Sequence, residues 1–146
     1  MVQIEFPEMY TKKNHYVSHK NKTFKRFYDV NAFLMDGYWW RQVLEMFSSG
    51  TSLYPYNATT VTCVGIATGG AVIARAFMDC AMIKDGELKG DVGDTYILVD
   101  DVCTTEKSIK DAIKIIGREP EDIFVVVDRR KKKTLKIRSL FKGDVE

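Results

Sequence analysis

The chain has 146 residues, 45% of them hydrophobic and 29% charged, a length and balance that permit one sizeable core and exclude a disordered, collagen-like or disulfide-stapled chain. Its 22 Lys and Arg stand against 20 Asp and Glu, so no global field argues for a nucleic-acid or membrane partner. Cys63, Cys80 and Cys103 form no C-x-x-C pair and are odd in number, which fits a reducing, cytoplasmic compartment. The N-terminal residues hold no apolar signal segment, and no transmembrane span is expected.

In chain order, roughly the first fifty residues begin with a basic and aromatic stretch, Lys12, Lys13, Lys20, Lys22, Lys25 and Arg26 interleaved with His15, Tyr16, His19, Phe24, Phe27 and Tyr28. This part is expected to form a flap or hood. Apolar residues at three- and four-residue spacing predict one helix from Asn31 to Phe47, weakened by Gly37. From residue 59 onward, β-branched runs predict buried strands at Thr60 to Ile66, Tyr96 to Asp100 and Ile123 to Asp128, with helices at Ala71 to Cys80 and Ser108 to Ile116 between them. Thr134 to Phe141 could add an edge strand. The alternation predicts a single α/β domain, a parallel twisted sheet with helices on both faces.

Ligands of open parallel sheets bind beyond the carboxyl ends of the strands, and three such ends carry unusual residues. After the first comes Thr68-Gly69-Gly70, whose backbone N–H groups suit a phosphate, although a glycine pair serves equally well as a tight turn. Its spacing fits neither the nucleotide loop nor the dinucleotide fingerprint. After the second comes Asp100-Asp101, two carboxylates that are expensive to bury unless ribose hydroxyls or a hydrated Mg²⁺ bind them. Thr104, Thr105, Glu106, Lys107 and Ser108 follow, a run of hydroxyls and a lysine able to wrap a phosphate. The bland alternative is a solvent-facing acidic pair and a helix capped by Ser108 with Asp111. After the third comes Asp128-Arg129-Arg130. Two phosphate cradles flanking a carboxylate pair describe a diphosphorylated sugar.

The run Tyr96-Ile97-Leu98-Val99-Asp100-Asp101-Val102-Cys103-Thr104-Thr105-Glu106-Lys107-Ser108 resembles the characteristic segment of the type I phosphoribosyltransferases. Within them the chain is most similar to the orotate enzymes, through Gly65 to Gly70, Val127-Asp128-Arg129, Ser18 to Asp29 and Ile137 to Leu140. The resemblance implies transfer of a phosphoribosyl group from 5-phosphoribosyl-1-pyrophosphate to a nucleobase, orotate first, with release of pyrophosphate. It implies that Thr104 to Ser108 hold the 5-phosphate, Asp100 and Asp101 the ribose hydroxyls, and Thr68, Gly69 and Gly70 the pyrophosphate. Mg²⁺ would be carried by the donor rather than held directly, Lys84 would offset the departing charge, and Arg129 would pair with the substrate carboxylate. A homodimer is expected. Glu106 stands where relatives have a small residue, and its carboxylate would either repel the phosphate or point outward. Met82 to Thr95 is too short for the strand and long catalytic loop of relatives, leaving Lys84 and Lys89 as cations. Other readings are a non-catalytic donor-binding regulator, a purine phosphoribosyltransferase, or RNA binding by the basic run from Arg129 to Lys142.

Overall fold

The computed structural model describes residues 5–48, 61–77 and 79–145. Five parallel strands and the residues that cover them organise the molecule. β1 (Thr11–Val17) and β2 (Lys22–Tyr28) form an antiparallel hairpin, followed by α1 (Val30–Leu34) and α2 (Gly37–Ser48). The core follows as β3 (Thr62–Ile66), α3 (Gly69–Ala74), β4 (Cys80–Lys84), β5 (Glu87–Lys89), β6 (Tyr96–Cys103), α4 (Lys107–Ile116), β7 (Asp122–Asp128) and β8 (Arg138–Lys142). The six core strands run in the order β5-β4-β3-β6-β7-β8, parallel except for β5.

Alternation along the central strands divides the core between two faces. Cys63, Ile97, Val99, Phe124 and Val126 point to the side covered by α1, α2 and α3, and Val64, Tyr96, Leu98, Ile123 and Val125 to the side covered by α4. Both faces are apolar, as a parallel sheet flanked by helices requires. α4 buries Ile109 and Ala112 and ends at Gly117, whose φ of 89° is the left-handed conformation that stops a helix.

Several boundaries differ from those expected. The helix predicted over Asn31 to Phe47 is two helices, because Asp36 turns its carboxylate onto the amides of Tyr38 and Trp39 (3.0 and 3.4 Å) and starts α2 afresh. The helix predicted to reach Cys80 ends at Ala74, and Cys80 begins β4, which lies beside β3 in the register Cys63↔Cys80. The shortness of Met82 to Thr95 therefore falls on the loop and not on the strand. β4 exists and ends in Lys84, and a two-residue turn at Asp85 and Gly86, both with positive φ, leads straight into β5. β6 is longer than expected, running on to Cys103, and the edge strand is Arg138–Lys142. Thr60 lies outside the described residues.

The hairpin is fastened by aromatic and charged contacts. Phe6, Phe33, Trp39 and Phe141 stack in one cluster, with Phe6–Phe33 and Phe33–Trp39 centroids 4.8 and 5.3 Å apart. Arg26 pairs with Glu8 at 2.6 Å and Asp144 at 3.2 Å, and the Tyr28 hydroxyl accepts from the Asp144 amide at 2.8 Å. Among the described residues no helix is long and apolar enough to cross a membrane.

Candidate functional site

The register of the parallel strands brings the expected site residues to one edge. Gly65 lies beside Val99, Ile66 beside Ile83, and Cys103 beside Asp128, so Thr68 to Gly70, Lys84, Asp100, Asp101 and the loop from Thr104 to Ser108 all follow or form the carboxyl ends of β3, β4 and β6. Thr68, Lys84, Thr105, Lys107 and Ser108 are exposed there, and Asp100 is buried.

The glycine loop is packed directly on the acidic pair. A Cβ on Gly69 would stand 2.6 Å from Asp101 Oδ2, and one on Gly70 would overlap the Val99 carbonyl oxygen and lie 3.0 Å from the Asp100 Cα. Only glycine permits this approach. A cis peptide joins Ala67 to Thr68 just before it. Gly70→Ala is expected to lower stability by about 1–3 kcal/mol, because the colliding atom is backbone and cannot rotate away. Thermal unfolding of the variant measures it, and a midpoint equal to the parent's would show that α3 can shift at no cost.

Asp100 accepts from the amide of Asp101 at 2.8 Å, and Asp101 from the amide of Val102 at 2.7 Å. Burial, then the neighbouring Asp101 carboxylate, pushes Asp100 well above the usual carboxylate range, while Lys20 pulls the other way. Lys20 sits in the turn between β1 and β2, within the stretch Ser18 to Asp29 that resembles a base-binding segment, and nothing local in the sequence connects it to Asp100. Among the described residues no group of three or more His, Cys, Asp and Glu could hold a metal ion.

The loop Thr104 to Ser108 borders an open cleft of about 540 Å³ whose lining also includes Lys110, Lys131, Lys132 and Thr134. Lys107 is paired with Asp111 at 2.6 Å. Glu106 neither faces a ligand nor points outward, as the two expectations had it. Its carboxylate is turned into the protein, where it accepts from Arg130 Nη1 at 2.5 Å, from the amides of Thr134 and Leu135 at 2.8 and 2.9 Å, and from the Thr134 hydroxyl. Burial opposes its ionisation, but the bonds from Leu135, Thr134 and Arg130 outweigh burial and hold it well below the usual range. Any contribution of Glu106 to ligand binding is therefore made without its carboxylate.

Arg129 also departs from expectation. Its guanidinium is buried in the seam between hairpin and core, donating to the carbonyls of Arg26 (2.8 Å) and Asp144 (2.9 Å) and lying 4.9 Å from the Tyr28 ring centroid and 5.6 Å from that of Phe24. A guanidinium so enclosed does not fit the role of pairing with a substrate carboxylate, nor does it belong to a solvated basic face. It is a clamp on the N-terminal hairpin. The neighbouring Arg130, which the sequence offered only as part of the basic run considered for RNA binding, is the residue that reaches Glu106 in the loop after β6.

No family model and no curated protein matches the sequence. The structure is similar to orotate phosphoribosyltransferase from Aeropyrum pernix, with a TM-score of 0.68, 19% identity, and coverage of 92% of this chain and 88% of that one. It is similar to the Mycobacterium tuberculosis orotate phosphoribosyltransferase solved with 5-phospho-α-D-ribosyl 1-diphosphate, with a TM-score of 0.61, 16% identity, and coverage of 92% and 90%. Leishmania donovani UMP synthase matches with a TM-score of 0.65 and 17% identity, over 92% of this chain and 34% of that longer one. The resemblance seen in the motifs thus extends over most of the chain, and this chain has the type I phosphoribosyltransferase fold.

Proposed function

We propose that this chain transfers the phosphoribosyl group of 5-phosphoribosyl-1-pyrophosphate to a nucleobase, with orotate as the acceptor and pyrophosphate as the leaving group. The observation that carries the reading is the convergence at one sheet edge of a glycine loop packed on Asp101, a buried Asp100 beside it, and the hydroxyl-rich loop after β6. In this reading Asp100 and Asp101 hold the ribose hydroxyls, Thr104, Thr105, Lys107 and Ser108 the 5-phosphate, and Thr68 with the amides of Gly69 and Gly70 the pyrophosphate. The donor arrives with Mg²⁺, which supplies charge neutralisation to the leaving group. Lys84, exposed at the end of β4, adds a cation on the same side. Such a displacement develops positive charge on the sugar and negative charge on the leaving group, so positioning and electrostatics suffice and no covalent nucleophile is needed. Orotate is favoured as acceptor by the similarity to orotate enzymes along most of the chain, hairpin included.

A second reading, a donor-binding protein without turnover, draws on the Asp85–Gly86 turn. It leaves no long segment between β4 and β5 to close over the site. One experiment separates the two: donor, Mg²⁺ and either orotate, uracil, hypoxanthine or guanine, with pyrophosphate release as the readout. Release that is fastest with orotate is expected. Donor binding without release from any base would favour the regulator, and faster release with a purine would overturn the choice of base.

A further inference from the structure

We propose that Arg130 is a positioning residue for the loop Thr104 to Ser108, an inference that rests on the donor-site reading above. Its side chain leaves the chain two residues beyond the end of β7 and is only 3% exposed. Nε and Nη2 take the two oxygens of Asp128, each at 2.9 Å, and Nη1 takes Glu106 Oε2 at 2.5 Å and the Leu135 carbonyl at 2.9 Å. One planar group thus ties the end of β7, the segment at residues 134–135 and the middle of the anion loop together. A lysine has neither the plane nor the number of donors to do this.

Two consequences follow for an anion arriving at the loop. The first is order. Glu106 is the residue from which α4 starts, so anchoring its carboxylate fixes the backbone between Thr105 and Lys107 before a ligand binds, and the entropy of ordering is not charged to the binding step. The second is charge. A carboxylate in the middle of a phosphate loop would oppose an anion. Here it is drawn away and held by the amides of Leu135 and Thr134, the Thr134 hydroxyl and the Arg130 cation that it shares with Asp128, with Lys110 3.5 Å from its other oxygen. Hydrogen bonding to Asp128, the larger influence, and to Glu106 raises the Arg130 pKa against the effect of burial, so the cation persists at any physiological pH.

The test compares the unmodified protein with Arg130→Lys and Glu106→Gln, using amide hydrogen exchange at residues 104–108 and calorimetric titration with the Mg²⁺ complex of the donor, both well below the unfolding midpoint. Losing the fork in Arg130→Lys, or the charged bond in Glu106→Gln, is expected to speed exchange of the loop amides by about tenfold or more and to weaken donor affinity by about tenfold. The KM for the base should not move. If both variants keep the parent's exchange rates in the loop, the positioning role is overturned, whatever they do to the midpoint. Should Arg130→Lys not fold, Glu106→Gln alone decides, because it keeps an oxygen for the amides of Thr134 and Leu135. An unmodified protein that binds no donor would sink the donor-site reading, and the exchange rates would still judge the role of Arg130.

Discussion

Replacing Asp100 and Asp101 together by asparagine is expected to weaken binding of the Mg²⁺ complex of the donor by two to four orders of magnitude. Each charge-assisted bond to a ribose hydroxyl contributes about 1.5–3 kcal/mol, so two of them account for roughly that range. The fold should survive, because an asparagine oxygen still accepts from the amides of Asp101 and Val102 that the carboxylates hold now. Calorimetric titration measures the loss, and an unchanged affinity would remove both residues from the donor site. The single variant Asp100→Asn carries a second, opposite signature. Because burial raises its pKa, Asp100 binds a proton more tightly in the folded chain than in the unfolded one, whose value is near 3.8. Its contribution to stability is therefore complete below that pH and is lost as pH rises toward the folded value. Asp100→Asn should unfold at a higher temperature than the parent at neutral pH, by a few degrees, with the gain vanishing in acid. A variant that binds worse and stands more firmly is what a residue kept for its chemistry produces.

Arg129→Ala should lower stability by about 3–5 kcal/mol, since it removes a buried guanidinium packed against Phe24 and Tyr28 together with its bonds to two partly buried carbonyls. For a chain of this size that is a fall of roughly 10 °C or more in the unfolding midpoint. The preference for orotate over uracil among molecules that remain folded should stay within about twofold of the parent's, as expected of a group that holds the hairpin and does not meet the base. Thermal unfolding and the ratio of kcat/KM for the two bases, taken well below the midpoint, check both halves. A selective collapse of orotate use at an unchanged midpoint would put the guanidinium back in the base site.

The two positions also show where sequence reasoning reaches and where it stops. β6 and β7 were legible because Ile97 to Val99 and Ile123 to Val127 are unbroken apolar runs, the pattern of strands buried on both faces. The acidic pair and the hydroxyl run were legible because they interrupt that pattern at a strand end. β4 was hidden. The apolar residues Val72, Ile73, Ala76 and Phe77 continue a helical spacing past Ala74, and no proline or glycine marks the end of α3. The Asp85-Gly86 pair, a strong hairpin signal, was the available clue to β5. The hairpin at the start was obscured by its own exposure, for its strands bury few residues between them, Val17, Phe24 and Tyr28. As for Arg129 and Arg130, adjacent residues of one type were sent to opposite tasks by partners far away in sequence, Arg26 and Asp144 for one, Glu106 for the other. No local pattern records that.

The seam that Arg129 closes bears on the order in which the molecule can be made. Arg26 and Tyr28 meet Asp144 across sequence separations of 118 and 116 residues, and Arg129 meets Arg26 across 103. The hairpin residues therefore dock on a surface contributed by residues far later in the chain. The core strands can pair in the meantime, because β3, β4 and β5, and again β6, β7 and β8, follow one another in the chain and lie side by side. Closing the longest loop comes last and returns little until Phe141 and Asp144 are in place. The hairpin thus precedes the sheet in the chain and sets after it. The acidic edge stays open to solvent through most of folding and acquires its cover only when the rest of the molecule is finished.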